Sequence, residues 1–185
     1  MAGIAQSLRG KRIFITGATG YLGRVLVEKL LWSAPEVGKL LLLIRADRDR
    51  GAEERLLQDV FGAALMDRLR ARHGDDWEAR VTSRVLAVPG DLGQDAFGLD
   101  RAGYAALCGS IDMVVASAAT VTFDERLDRS LNLNTRGAGR TLALARDAGN
   151  APLLHVSTCF VSGKREGPVL EIGRASCRER VYGPV

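Results

Sequence analysis

The stretch from Arg12 to Gly23, RIFITGATGYLG, constrains the fold of this chain more than any other. Ile13, Phe14 and Ile15 are apolar and β-branched or aromatic, as in a strand covered on both faces. The run that begins at Leu22 follows helical spacing. Leu22, Val25, Leu26, Lys29 and Leu30 are predicted along its packed face, with Arg24 and Glu28 turned outward. Between strand and helix stand Gly17, Gly20 and Gly23. The first two allow a tight turn and bring backbone N–H groups close to a ligand, and the third lets the helix pack closely on the strand. Free N–H groups and a partial positive charge at a helix start form a site for a diphosphate. The spacing is G-x-x-G-x-x-G, not the commoner G-x-G-x-x-G, so the flanking strand and helix carry the reading. The alternative is a strand-to-helix turn that binds nothing.

The same alternation continues. Lys39 to Ile44, Val85 to Val88, Ile111 to Ala116 and Leu153 to Ser157 are apolar runs of strand length. Helices are predicted over Glu53 to Arg72, around Tyr104 to Leu107, and from Asn134 to Ala148. Strands apolar throughout and separated by helices imply an α/β fold, a Rossmann-type doubly wound parallel sheet of order 3-2-1-4-5. An apolar content of 46% supports a real core, and the net charge of +4 carries no basic cluster interleaved with aromatics, so no nucleic-acid partner is expected. The longest wholly apolar run, Leu40 to Ile44, is too short for a membrane span. Three cysteines without C-x-x-C spacing indicate neither a disulfide frame nor a zinc site, and fit a reducing cytoplasm.

In such a sheet the carboxyl ends of the strands carry the ligand. Thr16, Gly17, Gly20, Tyr21, Leu22 and Gly23 are the candidate cofactor contacts of the first turn. Arg45 ends the second strand, where an acidic residue would select NAD; an arginine there suits the 2′-phosphate of NADPH, with Arg48 in reach to assist. The alternative for both is a solvated charge run. Asp91 is read as meeting the adenine amino group and Leu92 as covering the ring, although Gly-Asp-Leu also makes an ordinary turn. Ser117, Ala118, Ala119 and Thr120 are small enough for the backbone to approach the middle of the cofactor. Asn134 is either a helix cap or a functional residue.

Thr-Gly-Ala-Thr-Gly-Tyr-Leu-Gly (16–23), Leu-Leu-Ile-Arg (42–45), Gly-Asp-Leu (90–92), Ala-Ala-Thr-Val-Thr-Phe (118–123), Asn-Thr-Arg-Gly (134–137) and His-Val-Ser-Thr-Cys-Phe-Val (155–161) occur in that order. The set resembles the N-terminal half of the fatty acyl-CoA reductases, in the extended short-chain dehydrogenase/reductase superfamily. Glu28-Lys29-Leu30-Leu31, Pro35 to Lys39 and Ala52 to Arg55 narrow the match to that family, over about residues 8 to 170. The resemblance implies NADPH as cofactor and a long-chain fatty acyl-CoA thioester as substrate, reduced to the aldehyde and often onward to the alcohol. It assigns Thr158 as the hydroxyl donor facing the reacting carbonyl, with Ser157 its weaker neighbour; a strand-end cap is the alternative role.

The departures are specific. No tyrosine in this chain is followed by a lysine four residues on, although the family carries Tyr-x-x-x-Lys downstream of the threonine motif. Ser117 stands where the family usually has Asn, and Phe160 where it has Tyr. Cys159 lacks a suitably placed base, and His155 is read as a core residue, so a cysteine nucleophile is rejected. Residues 1–170 are read as an incomplete NADP-binding domain, cut after about the fifth strand and inactive alone. Residues 171–185 resemble translated sequencing adaptor and are read as a non-native tail, against a native basic loop. The alternatives are a thioester reductase for carrier-bound acyl chains, a nucleotide-sugar epimerase or dehydratase, and a non-catalytic NADP-binding protein.

Overall fold

A computed structural model of the chain describes residues 3–122 and 124–158. The readings placed on Cys159, Phe160 and residues 171–185 lie outside the described residues. Five strands, β1 (Ile13–Thr16), β2 (Leu40–Ile44), β3 (Val85–Pro89), β4 (Met113–Ala116) and β5 (Leu153–His155), pair in parallel in the order β3-β2-β1-β4-β5. That is the order the apolar runs predict. The helices are α1 (Ile4–Ser7), α2 (Tyr21–Ser33), α3 (Ala52–Arg55), α4 (Asp67–His73), α5 (Trp77–Arg80), α6 (Arg101–Gly109), α7 (Leu127–Ser130) and α8 (Gly137–Asp147).

Alternating strand residues feed two cores, one on each face of the sheet. Ile13, Ile15, Leu40, Leu42 and Val115 pack with Val27 and Leu31 of α2 and with Leu56, Val60, Met66 and Leu69. Phe14, Leu41, Leu43 and Val114 pack with Phe97, Leu107 and Leu144 on the other face. Among the described residues, no helix is long and apolar enough to cross a membrane.

Two predicted helices differ in form. The helix expected over 53–72 is broken: α3 runs into a π-helical turn at Leu56–Phe61, the chain becomes extended at Ala63, and a short 3-10 turn leads into α4. Leu56, Val60, Met66 and Leu69, all buried, do not share one stripe of a continuous helix, and the break between them needs glycine at 62, where a side chain would meet the Gln58 carbonyl oxygen at 2.5 Å. The helix expected from Asn134 begins earlier, as α7, and passes through a π-helical turn at Leu131–Arg136 into α8.

The face of α2 is also a correction. Gly23, Val27 and Leu31 face the sheet, Leu22 is exposed, and Glu28, expected outward, is buried. A second layer, residues 52–84, packs on the flank of α2 and encloses the Glu28 carboxylate. The Arg68 guanidinium donates to both of its oxygens, Nη2 to Oε2 at 2.6 Å.

Arg12 and Asp112 tie the starts of the two central strands. The Asp112 carboxylate accepts from the Arg12 amide (2.8 Å), Nε (3.0 Å) and Nη2 (3.1 Å), and the Asp112 amide returns a bond to the Arg12 carbonyl. The Arg12 side chain, then its amide, holds the Asp112 carboxyl down at about 2. A carboxyl depressed by folding contributes stability above its unfolded value near 3.9 and loses it as pH falls toward the folded value. Melting temperatures at pH 4 and pH 2 are therefore expected to fall more steeply for the parent than for Asp112→Asn. Parallel pH profiles would show that the pair contributes nothing.

Candidate functional site

The carboxyl ends of the five parallel strands bring the predicted residues to one edge of the sheet. The order reverses between β1 and β4, so the loops leaving these two neighbours diverge and open a crevice. Its floor is backbone against backbone. Gly17 has φ +79°, and a side chain there would stand 2.8 Å from the Ala118 amide nitrogen. Glycine is required twice over, by conformation and by space.

Thr16 holds that contact together. It is buried, and its hydroxyl oxygen accepts from the amides of Ser117 and Ala118, both at 3.2 Å, while the Ser117 hydroxyl donates to the Thr16 carbonyl at 2.7 Å. Its hydroxyl is thus committed to the adjoining loop rather than turned to the crevice. Gly20 caps α2 and donates to the Gly17 carbonyl at 3.0 Å; Tyr21 and Leu22 are exposed at the helix start. Gly23 lies one turn in, where a side chain would meet the Gly17 carbonyl oxygen at 2.1 Å. Close packing there points the first free N–H groups of α2, a helix of 13 residues, toward the crevice.

The neighbouring ends add polar groups. Arg45 and Arg48 are exposed on the loop after β2, and Arg45 Nη1 lies 3.5 Å from Asp91 Oδ2 across the β2–β3 ends. Asp91 also accepts from the Gly93 amide at 2.8 Å. Leu92 is buried in the core and packs against Gly137, whose missing side chain makes room for it.

Asn134 is not a helix cap. Within the π-helical turn its side-chain oxygen accepts from the Thr120 amide (2.9 Å) and its side-chain nitrogen donates to the Thr120 carbonyl (3.0 Å). The two bonds hold the loop after β4, with Ala119 exposed at its tip. β5 joins the edge through the Val156 amide, which donates to the Ala116 carbonyl at 2.9 Å. Ser157 and Thr158 follow, both exposed. His155 is exposed as well, not a core residue, because β5 is the outermost strand described and its burial ends with Leu153.

A shallow depression of about 390 Å³ lies at the opposite edge, lined by Pro35, Arg72, His73, Asp76 and Arg84. It is a poorer candidate, since Arg84 already donates to the carbonyls of Pro35, Val37 and Arg80. Sequence reading missed Asp47, Arg55 and Asp59, which brace the loop of Arg45 and Arg48; the i,i+4 spacing of Arg55 and Asp59 was the available signal. It also missed Asn132 and Arg140. Arg140 donates to the Leu92 carbonyl (3.2 Å) and to Asp95 (2.9 Å), and Asn132 donates to the Gly93 carbonyl (2.9 Å).

The backbone cradle at Gly17 and Gly23 fits a dinucleotide diphosphate. The model of the NAD-binding family described as Male sterility protein matches residues 15–176. The alcohol-forming fatty acyl-CoA reductase of Simmondsia chinensis is 42% identical over 173 residues, covering 92% of this chain and 35% of that protein. The chloroplastic fatty acyl-CoA reductase 2 of Arabidopsis thaliana is 38% identical over 170 residues, covering 91% of this chain and 28% of its own length. The solved terminal R domain from the myxalamid PKS-NRPS biosynthetic pathway superposes with a TM-score of 0.71 at 27% identity, over 87% of this chain and 38% of that one. The chain thus spans about a third of the length of these curated relatives. A family match over so much of the sequence decides the assignment: this chain belongs to the NAD-binding Male sterility protein family, alongside fatty acyl-CoA reductases.

Proposed function

We propose that this chain is the NADPH-binding part of a reductase that converts a long-chain fatty acyl-CoA thioester to the aldehyde, and onward to the alcohol. The observation that carries the reading is the backbone cradle at Gly17 and Gly23, flanked by the exposed guanidinium groups of Arg45 and Arg48. In this reading the α2 amides hold the diphosphate, and Arg45 and Arg48 hold the 2′-phosphate by charge-assisted bonds. Asp91 meets the adenine edge. Asn134 and Thr16 keep the Ser117–Thr120 loop in place along the cofactor's middle. NADPH, when bound, supplies the hydride.

Thr158 is assigned the proton-bearing group at the substrate. As the thioester carbonyl becomes tetrahedral its oxygen gains negative charge, and a hydroxyl already aimed there stabilises that charge without reorganisation. Its place just after β5, the strand paired with β4, supports the role. The three cysteines suit a reducing compartment, the cytoplasm in this reading, although the Arabidopsis relative is by name a chloroplast protein.

Titration calorimetry tests the cofactor half. NADPH is expected to bind about tenfold or more tightly than NADH, with Arg45→Ala removing most of the difference. Equal dissociation constants in the parent chain would remove the 2′-phosphate reading. The likeness to an R domain of a PKS-NRPS pathway favours a second reading, an acyl chain presented on a carrier protein. Comparing palmitoyl-CoA with a palmitoylated carrier protein as substrates of the complete enzyme separates the two.

A further inference from the structure

We infer that Arg55 and Asp59 are positioning residues for cofactor choice: with Arg50 and Asp47 they lock the loop that presents Arg45 and Arg48. The inference rests on the 2′-phosphate reading above and says what makes it work.

The lock is a closed set of bonds behind the loop. Arg55 Nη1 donates to the Arg45 carbonyl at 2.6 Å, and its Nε donates to Asp59 Oδ2 at 2.9 Å. Arg50 Nη1 donates to Asp59 Oδ1 at 2.7 Å, and its Nε and Nη2 donate to Asp47 Oδ2 at 3.0 and 2.6 Å. Asp47 Oδ1 accepts from the amides of Asp49 (3.1 Å) and Arg50 (2.8 Å), while the Asp47 amide donates to the Arg50 carbonyl (3.0 Å). Both ends of the 45–50 loop are therefore fixed to one carboxylate, Asp59, through two guanidinium groups.

Charge decides what the lock leaves over. Arg50 and Arg55 are matched by Asp47 and Asp59, so the network cancels its own charge. Arg45 touches Asp91 only at 3.5 Å, and Arg48 makes no ion pair among the described residues. Two cations are thus displayed on a backbone that is already ordered. A phosphate bound there does not bear the entropy cost of ordering the loop. The network side chains are 18–37% exposed, so salt screens them less than the more exposed arginines in front.

The test turns on sign. Asp59→Asn removes a negative charge near the loop and so leaves it more positive, and Arg55→Lys leaves charge unchanged, yet both break the lock, since lysine cannot fork to Asp59 and the Arg45 carbonyl together. Kd for NADPH and for NADH is measured by calorimetry for the chain and both variants at one ionic strength, with Arg45→Ala as a further arm and a melting curve for each. Both variants are expected to shrink the NADPH preference roughly fivefold or more, mainly through NADPH, while still melting cooperatively. A preference raised or unchanged in Asp59→Asn, with Arg55→Lys also like the parent, overturns the positioning role while Arg45→Ala still loses it. A parent with no preference overturns the 2′-phosphate reading itself, and this inference with it. If Asp59→Asn does not fold, Arg55→Lys alone decides.

Discussion

Replacing Gly23 with alanine is expected to lower the melting temperature by roughly 5–10 °C and to abolish saturable NADPH binding. A β-carbon at this position would stand 2.1 Å from the Gly17 carbonyl oxygen and 2.7 Å from the Ala18 Cα. Both neighbours are backbone, so no rotamer change relieves the clash. The only remedy is for α2 to move away from β1, which costs packing and opens the turn that aims the helix amides. Overpacking in a close-packed interior typically costs about 1–3 kcal/mol, and a clash with main chain belongs at the upper end. For stability alone Gly20→Ala is the milder comparison: its β-carbon would meet the Gly17 carbonyl oxygen at 3.3 Å rather than 2.1 Å, and its φ of −77° suits any residue. Thermal unfolding by circular dichroism and an NADPH titration of both variants check this, and a parent-like Gly23→Ala would disprove the close-packing account of the turn.

Removing the Arg68 guanidinium is the second large effect. Arg68→Met is expected to lower the melting temperature by roughly 5–10 °C, and adding Glu28→Leu to recover most of that loss. The Glu28 side chain is 2% exposed while Arg68 is half exposed, so the cost of burial falls on the carboxylate. Taking away its partner leaves a buried charge without compensation. Replacing both groups by apolar ones leaves a leucine and a methionine to pack beneath Trp32, over whose ring Arg68 lies at 4.6 Å. Chemical or thermal unfolding of the two single variants and the double gives the coupling, and additive losses would show that the pair does not act as a unit.

These effects mark the boundary of what is legible in the sequence. The strand runs 13–15 and 40–44 can be read because residues covered on both faces are apolar at every position, a pattern that depends on no partner. The glycine turn can be read because positive φ and backbone contact each demand glycine. The packed face of α2 cannot, because Leu22, Val25, Leu26 and Leu30 make the helix apolar around much of its girth, and only the 52–84 layer decides that Glu28 lies inside. Asn134 shows the same limit: its bonds to Thr120 join residues on opposite sides of a loop, and spacing along the chain does not encode them. The burial of Leu92 is a further case, because a motif names a position, whereas the space left by Gly137 directs the side chain.

The chain's two tryptophans make this layered construction observable. The Arg68 and Arg72 guanidinium groups lie 4.6 and 4.8 Å from the Trp32 ring centroid, and Arg70 lies 4.7 Å from that of Trp77. Trp32 sits near the far end of α2, about 15 Å along the axis from its first turn. Native ultraviolet emission is therefore a gauge of how residues 52–84 are seated on α2, and nucleotide fluorescence is a gauge of the glycine turn. Followed together through a denaturant ramp, the two signals report whether the halves of the molecule come apart in one step or in sequence.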